Sequence, residues 1–139
     1  MFATRGCGPV LRNSVRSHST NTWKKIETIM KKVKITVLRT TFNEDLALEY
    51  GMPGLKSCSV MKQGQVFYAA HAKPDGFCDG AWRTIYQYVF ALANGARSFY
   101  YNDWIRQPGV AIACCNDGLR PVFFKLEATD EEVGAPIDS

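Results

Sequence analysis

The sequence lacks the spacings and runs that mark the common classes of metal, nucleotide and membrane protein. No two of its five cysteines form a Cys-x-x-Cys pair, so neither a zinc-ribbon nor a thioredoxin motif is present. A Walker-type phosphate loop and a Gly-x-Gly-x-x-Gly fingerprint are also missing, which leaves no signal for a nucleotide site. No apolar run approaches the roughly 20 residues that a membrane helix needs, so we expect no transmembrane segment.

Acidic residues are scarce at one end of the chain. Residues 1–20 contain no Asp or Glu, and residues 1–29 hold five of the 17 basic residues against the single acid Glu27. This Arg- and Ser-rich composition is typical of an organellar transit peptide, and a secretory signal would need an apolar core of roughly seven to fifteen residues. We therefore interpret residues 1–29 as a mitochondrial-type targeting leader and linker, which predicts the matrix of a mitochondrion or a related organelle. A disordered basic tail is the alternative.

The charge of the remaining chain is balanced. From Met30 onward there are 12 basic and 12 acidic residues, so the formal net charge of +4 belongs to the leader. A neutral body argues against general nucleic-acid binding, which depends on a basic surface. The body has the length of one ordinary domain. We place this domain at residues 30–129, followed by an acidic flexible tail at residues 130–139.

Apolar periodicity predicts a small α+β domain. Val33, Ile35 and Val37 alternate with polar residues, as in a half-buried strand, and residues 66–70 form a second apolar segment. A short helix is expected between Asn43 and Gly51, which carry start and stop signals. The main helix is predicted at residues 79–93, with Asp79 as its N-cap and Asn94-Gly95 at its end. Because most of its circumference is apolar, we expect it to lie across a sheet.

The segments 110–115 and 122–127 flank Asp117-Gly118 and predict a C-terminal β-hairpin. Asp-Gly between apolar runs is typical of a type I′ turn, whose two central residues both need positive φ. Together with the other elements, this hairpin predicts an antiparallel sheet of three or four strands packed on one main helix.

The predicted hairpin separates the two neighbouring cysteines. Cys114 and Cys115 are consecutive in a strand, so their side chains point to opposite faces and cannot both join one tetrahedral site while the strand is regular. A two-residue turn would pair Cys115 with Arg120, and an adjacent Arg lowers a thiol pKa and favours the reactive thiolate. Cys114 shares its face with Ile112 and is expected to be buried and unreactive.

Three interpretations of the cysteines stay open. The thiols are structural or incidental, or they hold zinc or an iron–sulfur cluster, or they serve a redox or nucleophilic role centred on Cys115. The metal hypothesis draws its ligands from Cys58, Cys78, Cys114 and Cys115, though not from all four simultaneously. In the redox hypothesis Cys78 and Cys115 are the working residues. A reducing matrix argues against structural disulfides.

Other groups with chemical potential are few. Of the two histidines, His18 lies in the leader, whereas His71 follows a predicted strand and is the candidate partner of a cysteine nucleophile, which requires contact in the fold. The aromatic segment 99–104 contains Asp103 and is interpreted either as loop packing or as the wall of a small-molecule pocket. A small-molecule enzyme using His71 and Asp103 is the third and weakest functional hypothesis.

Four segments of the body form a recognisable pattern: residues 33–38, 42–46, 76–86 and 108–122, the last containing Cys-Cys-x-Asp-Gly-x-x-Pro-Val. Through them the chain from Met30 to about Thr129 resembles a family of uncharacterised small proteins, mostly from anaerobic bacteria. That family pattern has Cys-Pro where this chain has Cys58-Ser59. Because the family has no established activity, the resemblance implies a domain boundary and candidate cysteines, and no reaction.

The leading functional hypothesis is therefore a small soluble organellar protein with a cysteine-based redox or metal-binding role. The alternative is a non-catalytic accessory or interaction subunit that has protein partners in a larger mitochondrial complex. Whether the protein is an enzyme stays open at this point.

Overall fold

The computed structural model describes residues 29–134, which form four strands and two helices. The strands are β1 (Lys31–Thr40), β2 (Val66–Ala69), β3 (Val110–Cys114) and β4 (Val122–Glu132). The helices are α1 (Glu44–Tyr50) and α2 (Asp79–Ala93), and a left-handed turn occupies Tyr100–Asn102. The predicted targeting leader, apart from Ile29, lies outside the described residues, as do residues 135–139 of the predicted tail.

The four strands form one antiparallel sheet in the order β2-β1-β4-β3. The two long strands, β1 and β4, occupy its centre. In β1 the predicted alternation is present, since Val33, Ile35 and Val37 are at most 1% exposed. Successive side chains of a strand point to opposite faces, so these three residues line a single face of the sheet. The predicted α+β class is confirmed, with a C-terminal pair of strands formed by β3 and β4.

Helix α2 covers the core face of the sheet and has the bounds that its apolar pattern predicts. Ile85, Val89 and Leu92 are at most 2% exposed and join the strand residues Ile35 and Phe124 in one core cluster. Their spacing of three and four residues places them on one side of the helix. The short predicted helix is also present as α1. Neither of the described helices is long and apolar enough to cross a membrane.

The predicted two-residue turn between β3 and β4 is wrong. Cys114 pairs with Phe123, and the Cys115 N–H donates to the Val122 carbonyl oxygen at 3.0 Å, so residues 116–121 form a longer connection. Gly118 is not among the glycines with positive φ, which a type I′ turn requires. The Asp117 side chain instead accepts hydrogen bonds from two following N–H groups and reverses the chain, as Asp commonly does in turns.

The predicted orientation of the two neighbouring cysteines, with Cys114 buried and Cys115 on the other face, is also wrong. Ala111 is 0% exposed and packs, with Ala113 and Cys115, towards the core shared with α2, whereas Cys114 is exposed on the opposite face. Strand β3 is apolar on both faces, so alternation alone does not decide which face is covered. The small alanine side chains allow the helix to approach closely, and this selects their face for the core.

Strand β4 is longer than the sequence indicates. It continues to Glu132, which pairs with Lys31 of β1, so the first residues of the predicted flexible tail belong to the sheet. Lys32 Nζ lies 2.7 Å from Glu131 Oε1, and this ion pair joins the same two strands. Residues 130–132 thus belong to β4, where cross-strand pairs with the basic start of β1 accommodate the acidic residues.

Candidate functional site

Three of the cysteines line one pocket. Cys58 comes from the long connection between α1 and β2, Cys78 from the start of α2, and Cys115 from the end of β3. The pocket has a volume of about 160 Å³. All three cysteines are half-buried and pack against the edge of the hydrophobic core. The fold thus brings together thiols that are far apart in the sequence.

Cys58 is positioned by a connection that is tied to the sheet at its far end. The Gly64 N–H donates to the Val37 carbonyl oxygen at 2.8 Å, and the Val37 N–H donates to the Gln65 carbonyl oxygen at 2.9 Å. Met61, which also lines the pocket, is 2% exposed and anchors the connection in the core. These contacts hold Cys58 on the pocket wall although it lies in no helix or strand.

Cys78 is the N-cap residue of α2, and the sequence-based assignment of Asp79 to that position is wrong. Asp79 is the first helical residue, and its carboxylate pairs with Lys73, whose Nζ lies 2.8 Å from Oδ1. The hydrogen bond from Lys73, with its charge, holds the pKa of Asp79 below the ordinary value. Cys78 makes no side-chain capping hydrogen bond. Its thiol stands at a helix N-terminus, an environment in which reactive cysteines occur.

Cys115 is held by backbone hydrogen bonds to β4. Its sulfur accepts a hydrogen bond from the Val122 N–H at 3.3 Å, while its own N–H donates to the Val122 carbonyl oxygen. The Thr84 hydroxyl of α2 donates to the Cys114 carbonyl oxygen at 2.8 Å and ties the end of β3 to the helix. The Cys115 side chain therefore has one defined position in the pocket wall.

The segments that carry Cys78 and Cys115 touch at Gly80. A Cβ atom at Gly80 would lie 3.0 Å from Asn116 Oδ1, closer than most real Cβ contacts. Glycine at this position allows the first turn of α2 to approach the residue that follows Cys115. Neither Gly80 nor Asn116 was a candidate site residue from the sequence, because their relation depends on the tertiary contact.

The charged groups of the pocket neutralise each other. Arg120 donates its Nε–H to Asp117 Oδ2 at 2.8 Å, and both residues line the pocket. Burial would raise the pKa of Asp117, but the hydrogen bonds from the Arg120 side chain and from the N–H groups of Leu119 and Arg120 hold it below its ordinary value. The predicted pairing of Arg120 with Cys115 is wrong, because residue 115 lies opposite Val122 and the guanidinium is engaged by Asp117.

The other predicted site residues lie elsewhere. Cys114 is exposed on the opposite face of β3, and His71 is exposed in the segment after β2 and does not line the thiol pocket. Among residues 29–134, no three His, Cys, Asp or Glu side chains form a group that could hold a metal ion. The metal hypothesis drew on Cys58, Cys78, Cys114 and Cys115, though not on all four simultaneously. Of these, Cys58, Cys78 and Cys115 line the thiol pocket, whereas the alternation of β3 places Cys114 on the other face.

The aromatic segment after α2 packs against the helix. Tyr88 of α2 contacts Phe99 and Trp104, with ring centroids 5.2 and 5.6 Å apart, and Tyr100 contacts Trp104 at 5.1 Å. The hydroxyl groups of Tyr88 and Tyr100 are hydrogen-bonded, and this bond, with burial, raises the pKa of Tyr88 to about 12. These contacts support the loop-packing interpretation, and Asp103 is exposed at the edge of the cluster.

Comparisons with protein family models, with curated proteins and with solved structures found no match to this chain. The resemblance to small proteins of anaerobic bacteria therefore stays a prediction, and the thiol pocket is interpreted from its own geometry.

Proposed function

We propose that the protein carries out thiol redox chemistry through the pocket lined by Cys58, Cys78 and Cys115. The observation that carries the proposal is the convergence of three thiols from separate segments on one pocket of about 160 Å³. Formation of a disulfide requires two thiols that can approach each other, so Cys58, Cys78 and Cys115, which line one pocket, are the candidate thiols.

The donor set of the pocket favours a redox role over the metal role. Structural zinc sites and iron–sulfur clusters generally take four protein ligands. The pocket supplies three thiols, and its one carboxylate, on Asp117, already accepts hydrogen bonds from Arg120 and two N–H groups. The residues present thus do not fit a four-ligand zinc or iron–sulfur site.

Cys115 is the proposed attacking thiol, and Cys78 is the proposed resolving thiol. The Val122 N–H that donates to the Cys115 sulfur also stabilises negative charge on that atom during thiol exchange. Cys78 stands at the N-terminus of a 15-residue helix, whose dipole favours negative charge at the same place. Cys58 lines the same pocket and is the proposed acceptor of the disulfide in a second exchange. Arg120 positions the loop through its ion pair with Asp117. This role replaces the one predicted from the sequence, in which Arg120 lies beside the Cys115 thiolate.

Disulfide mapping after mild oxidation tests this proposal. The full chain is reduced, treated with diamide and analysed by mass spectrometry beside the single variants Cys78→Ser, Cys115→Ser and Cys114→Ser. We expect a disulfide between Cys78 and Cys115 in the wild type and in Cys114→Ser, and the loss of that disulfide in both Cys78→Ser and Cys115→Ser. Oxidation confined to Cys114, or none within the pocket, would refute the redox function.

We also propose that residues 1–29 direct the protein to a mitochondrion or a related organelle. The support is the basic, acid-poor composition of this segment. A fluorescent fusion of the full chain should accumulate in the organelle, whereas the same fusion lacking residues 1–29 should remain outside it. Equal distributions of the two fusions would argue against a targeting role.

A role as an interaction subunit is the second candidate function, and one observation favours it. Tyr100, Tyr101 and Asn102 have φ angles of 51°, 60° and 65°, which are uncommon for residues other than glycine. This backbone holds the Tyr101 side chain fully exposed above the aromatic cluster. Strained backbone often occurs at functional positions, and Tyr is enriched among residues that dominate interface energies. The test is native sizing of organelle extracts, in which Tyr101→Ala should shift the protein from a larger complex to its monomer size.

A further inference from the structure

We infer that the oxidant accepted by the thiol pocket is an uncharged low-molecular-weight disulfide, in preference to a disulfide on another protein. This inference rests on the proposed redox function and adds the substrate class. It follows from the exposure of the thiols, the size and charge of the pocket, and the hydrogen bonds that hold its wall.

Among the four cysteines of residues 29–134, exposure separates the pocket thiols from the fourth. Cys58, Cys78 and Cys115 are half-buried, whereas Cys114 is exposed on the other face of β3. A thiol can exchange with a protein disulfide only if its sulfur reaches the surface of that protein. The recessed pocket thiols instead favour a disulfide small enough to enter.

The pocket size fits half of such a molecule. Its volume of about 160 Å³ is close to that of an engineered protein cavity of about 150 Å³ that binds benzene. A thiol fragment of four or so heavy atoms, bound to Cys115 as a mixed disulfide, is smaller than benzene. The pocket therefore has room for the intermediate that the exchange produces.

Among residues 29–134, no side chain that lines the pocket carries an unpaired charge to recruit an ionic substrate. Asp117 and Arg120 are paired with each other, and the other side chains that face the pocket include the thiols, Met61 and Val122. A charged disulfide would enter without a counter-charge and would lose part of its hydration, which costs free energy. An uncharged disulfide does not have this cost.

The wall that carries Arg120 is fixed at several points. The Asn43 side chain donates to the Gly118 carbonyl oxygen at 2.7 Å, and the Asn43 N–H donates to the Leu119 carbonyl oxygen at 2.9 Å. The Thr41 hydroxyl donates to the Pro121 carbonyl oxygen at 2.7 Å. Because these bonds oppose outward movement of residues 118–121, the pocket does not open readily to a bulky partner.

The reaction balances without a further reagent. The Cys115 thiolate attacks one sulfur of the disulfide, its S–S bond breaks, and the first small thiolate leaves and takes up a proton. The Cys78 thiolate then attacks the Cys115 sulfur of the mixed disulfide, and the second small thiolate leaves in the same way. Two protein thiols are oxidised by two electrons to one disulfide, and the small disulfide is reduced to two thiols.

The experiment compares three oxidants on the reduced full chain carrying both Cys7→Ser and Cys114→Ser, which keeps the three pocket thiols and removes the other two cysteines of the sequence. The oxidants are bis(2-hydroxyethyl) disulfide, the dianionic dithiodiglycolate, and oxidised thioredoxin as the protein disulfide, each at the same concentration. The rate of pocket disulfide formation is followed by quenched mass spectrometry. We expect the uncharged small disulfide to be faster than each of the others by on the order of tenfold, within the discrimination that pocket shape supplies.

Each alternative outcome has a defined meaning. An equal or faster rate with oxidised thioredoxin or with dithiodiglycolate would overturn the substrate class and leave the redox function standing. Failure of diamide, as well as of all three disulfides, to form a pocket disulfide would refute the redox function itself. In the variant Asn43→Ala, made in the same background, the rates of pocket disulfide formation with bis(2-hydroxyethyl) disulfide and with oxidised thioredoxin should be closer to each other, because residues 118–121 are less restrained. An unchanged ratio of these two rates would contradict the role of the fixed wall.

Discussion

Arg120 donates its Nε–H to Asp117 across 2.8 Å, and this contact organises the loop between β3 and β4. The same carboxylate accepts the N–H groups of Leu119 and Arg120 at 2.9 and 3.1 Å. The loop therefore carries its own ion pair on the pocket wall, and within the part of the chain that the structure describes the Arg120 guanidinium contacts Asp117 and not the Cys115 sulfur.

Removing the Asp117 carboxylate should loosen this loop. In Asp117→Asn the side chain keeps one acceptor oxygen but loses the ion pair, so we expect a loss of about 1 kcal/mol of unfolding free energy. Urea denaturation measures the change, and Asp103→Asn, at an exposed position, is the matched control. Equal effects of the two substitutions would show that the Asp117 contacts contribute nothing specific.

The difference in unfolding free energy between the wild type and Asp117→Asn should depend on pH. The pKa of Asp117 is lowered in the folded state from its ordinary value of 3.8, so the unfolded chain binds the proton more readily. The Asp117 contribution to stability is thus complete above pH 3.8 and is lost as the pH falls through the lower, folded-state pKa. The difference in unfolding free energy between wild type and Asp117→Asn should shrink over that interval. A difference that stays constant from neutral pH into this acid range would contradict the ion pair.

The contact between Gly80 and Asn116 should appear as coupling between the two positions. Alanine is favoured over glycine in a helix by about 0.5–1 kcal/mol, but a Cβ here meets Asn116 Oδ1 at 3.0 Å. We therefore expect Gly80→Ala to be more favourable in an Asn116→Ala background than in the wild type. Urea unfolding of the four proteins of this double-mutant cycle measures the coupling, and additive effects would show that the two positions are independent.

The face of β3 that meets α2 can be tested by overpacking. Ala111 is 0% exposed, so Ala111→Leu should destabilise the protein by about 1–3 kcal/mol. Ile112→Leu on the opposite, partly exposed face is the control and should change the unfolding free energy by less. Thermal or urea unfolding compares the two, and a larger effect at residue 112 would reverse the assigned orientation of the strand.

The hydrogen bonds by which Asn43 holds residues 118–121 offer a last test of the site. Asn43→Ala removes the hydrogen bond to the Gly118 carbonyl oxygen and should cost about 0.5–1.5 kcal/mol. It should also raise the alkylation rate of Cys115, because residues 118–121 are then less restrained. Gln87→Ala on the exposed side of α2 should leave that rate unchanged. Equal alkylation rates in the wild type and Asn43→Ala would argue against a restraining role.

Local pattern predicted most of the fold. The alternation of Val33, Ile35 and Val37 identified β1, and the apolar run bounded by Asp79 and Asn94 identified α2, because side-chain periodicity reports directly on which face is buried. Periodicity did not decide the orientation of β3, since both of its faces are apolar, or the end of β4, since its acidic residues pair with lysines far away in the chain.

The sequence by itself determined the class of the domain, its principal elements and its set of thiols, because these depend on residue type and local spacing. The tertiary structure decided which thiols meet. In the register of β3 on β4, Arg120 is not the strand partner of Cys115, and its guanidinium binds Asp117. Because α2 packs on the face of β3 that carries Ala111, Cys115 lies towards the core and Cys114 on the opposite, exposed face. Such outcomes depend on contacts between distant segments, and a pocket formed by Cys58, Cys78 and Cys115 exists only once those segments are packed together.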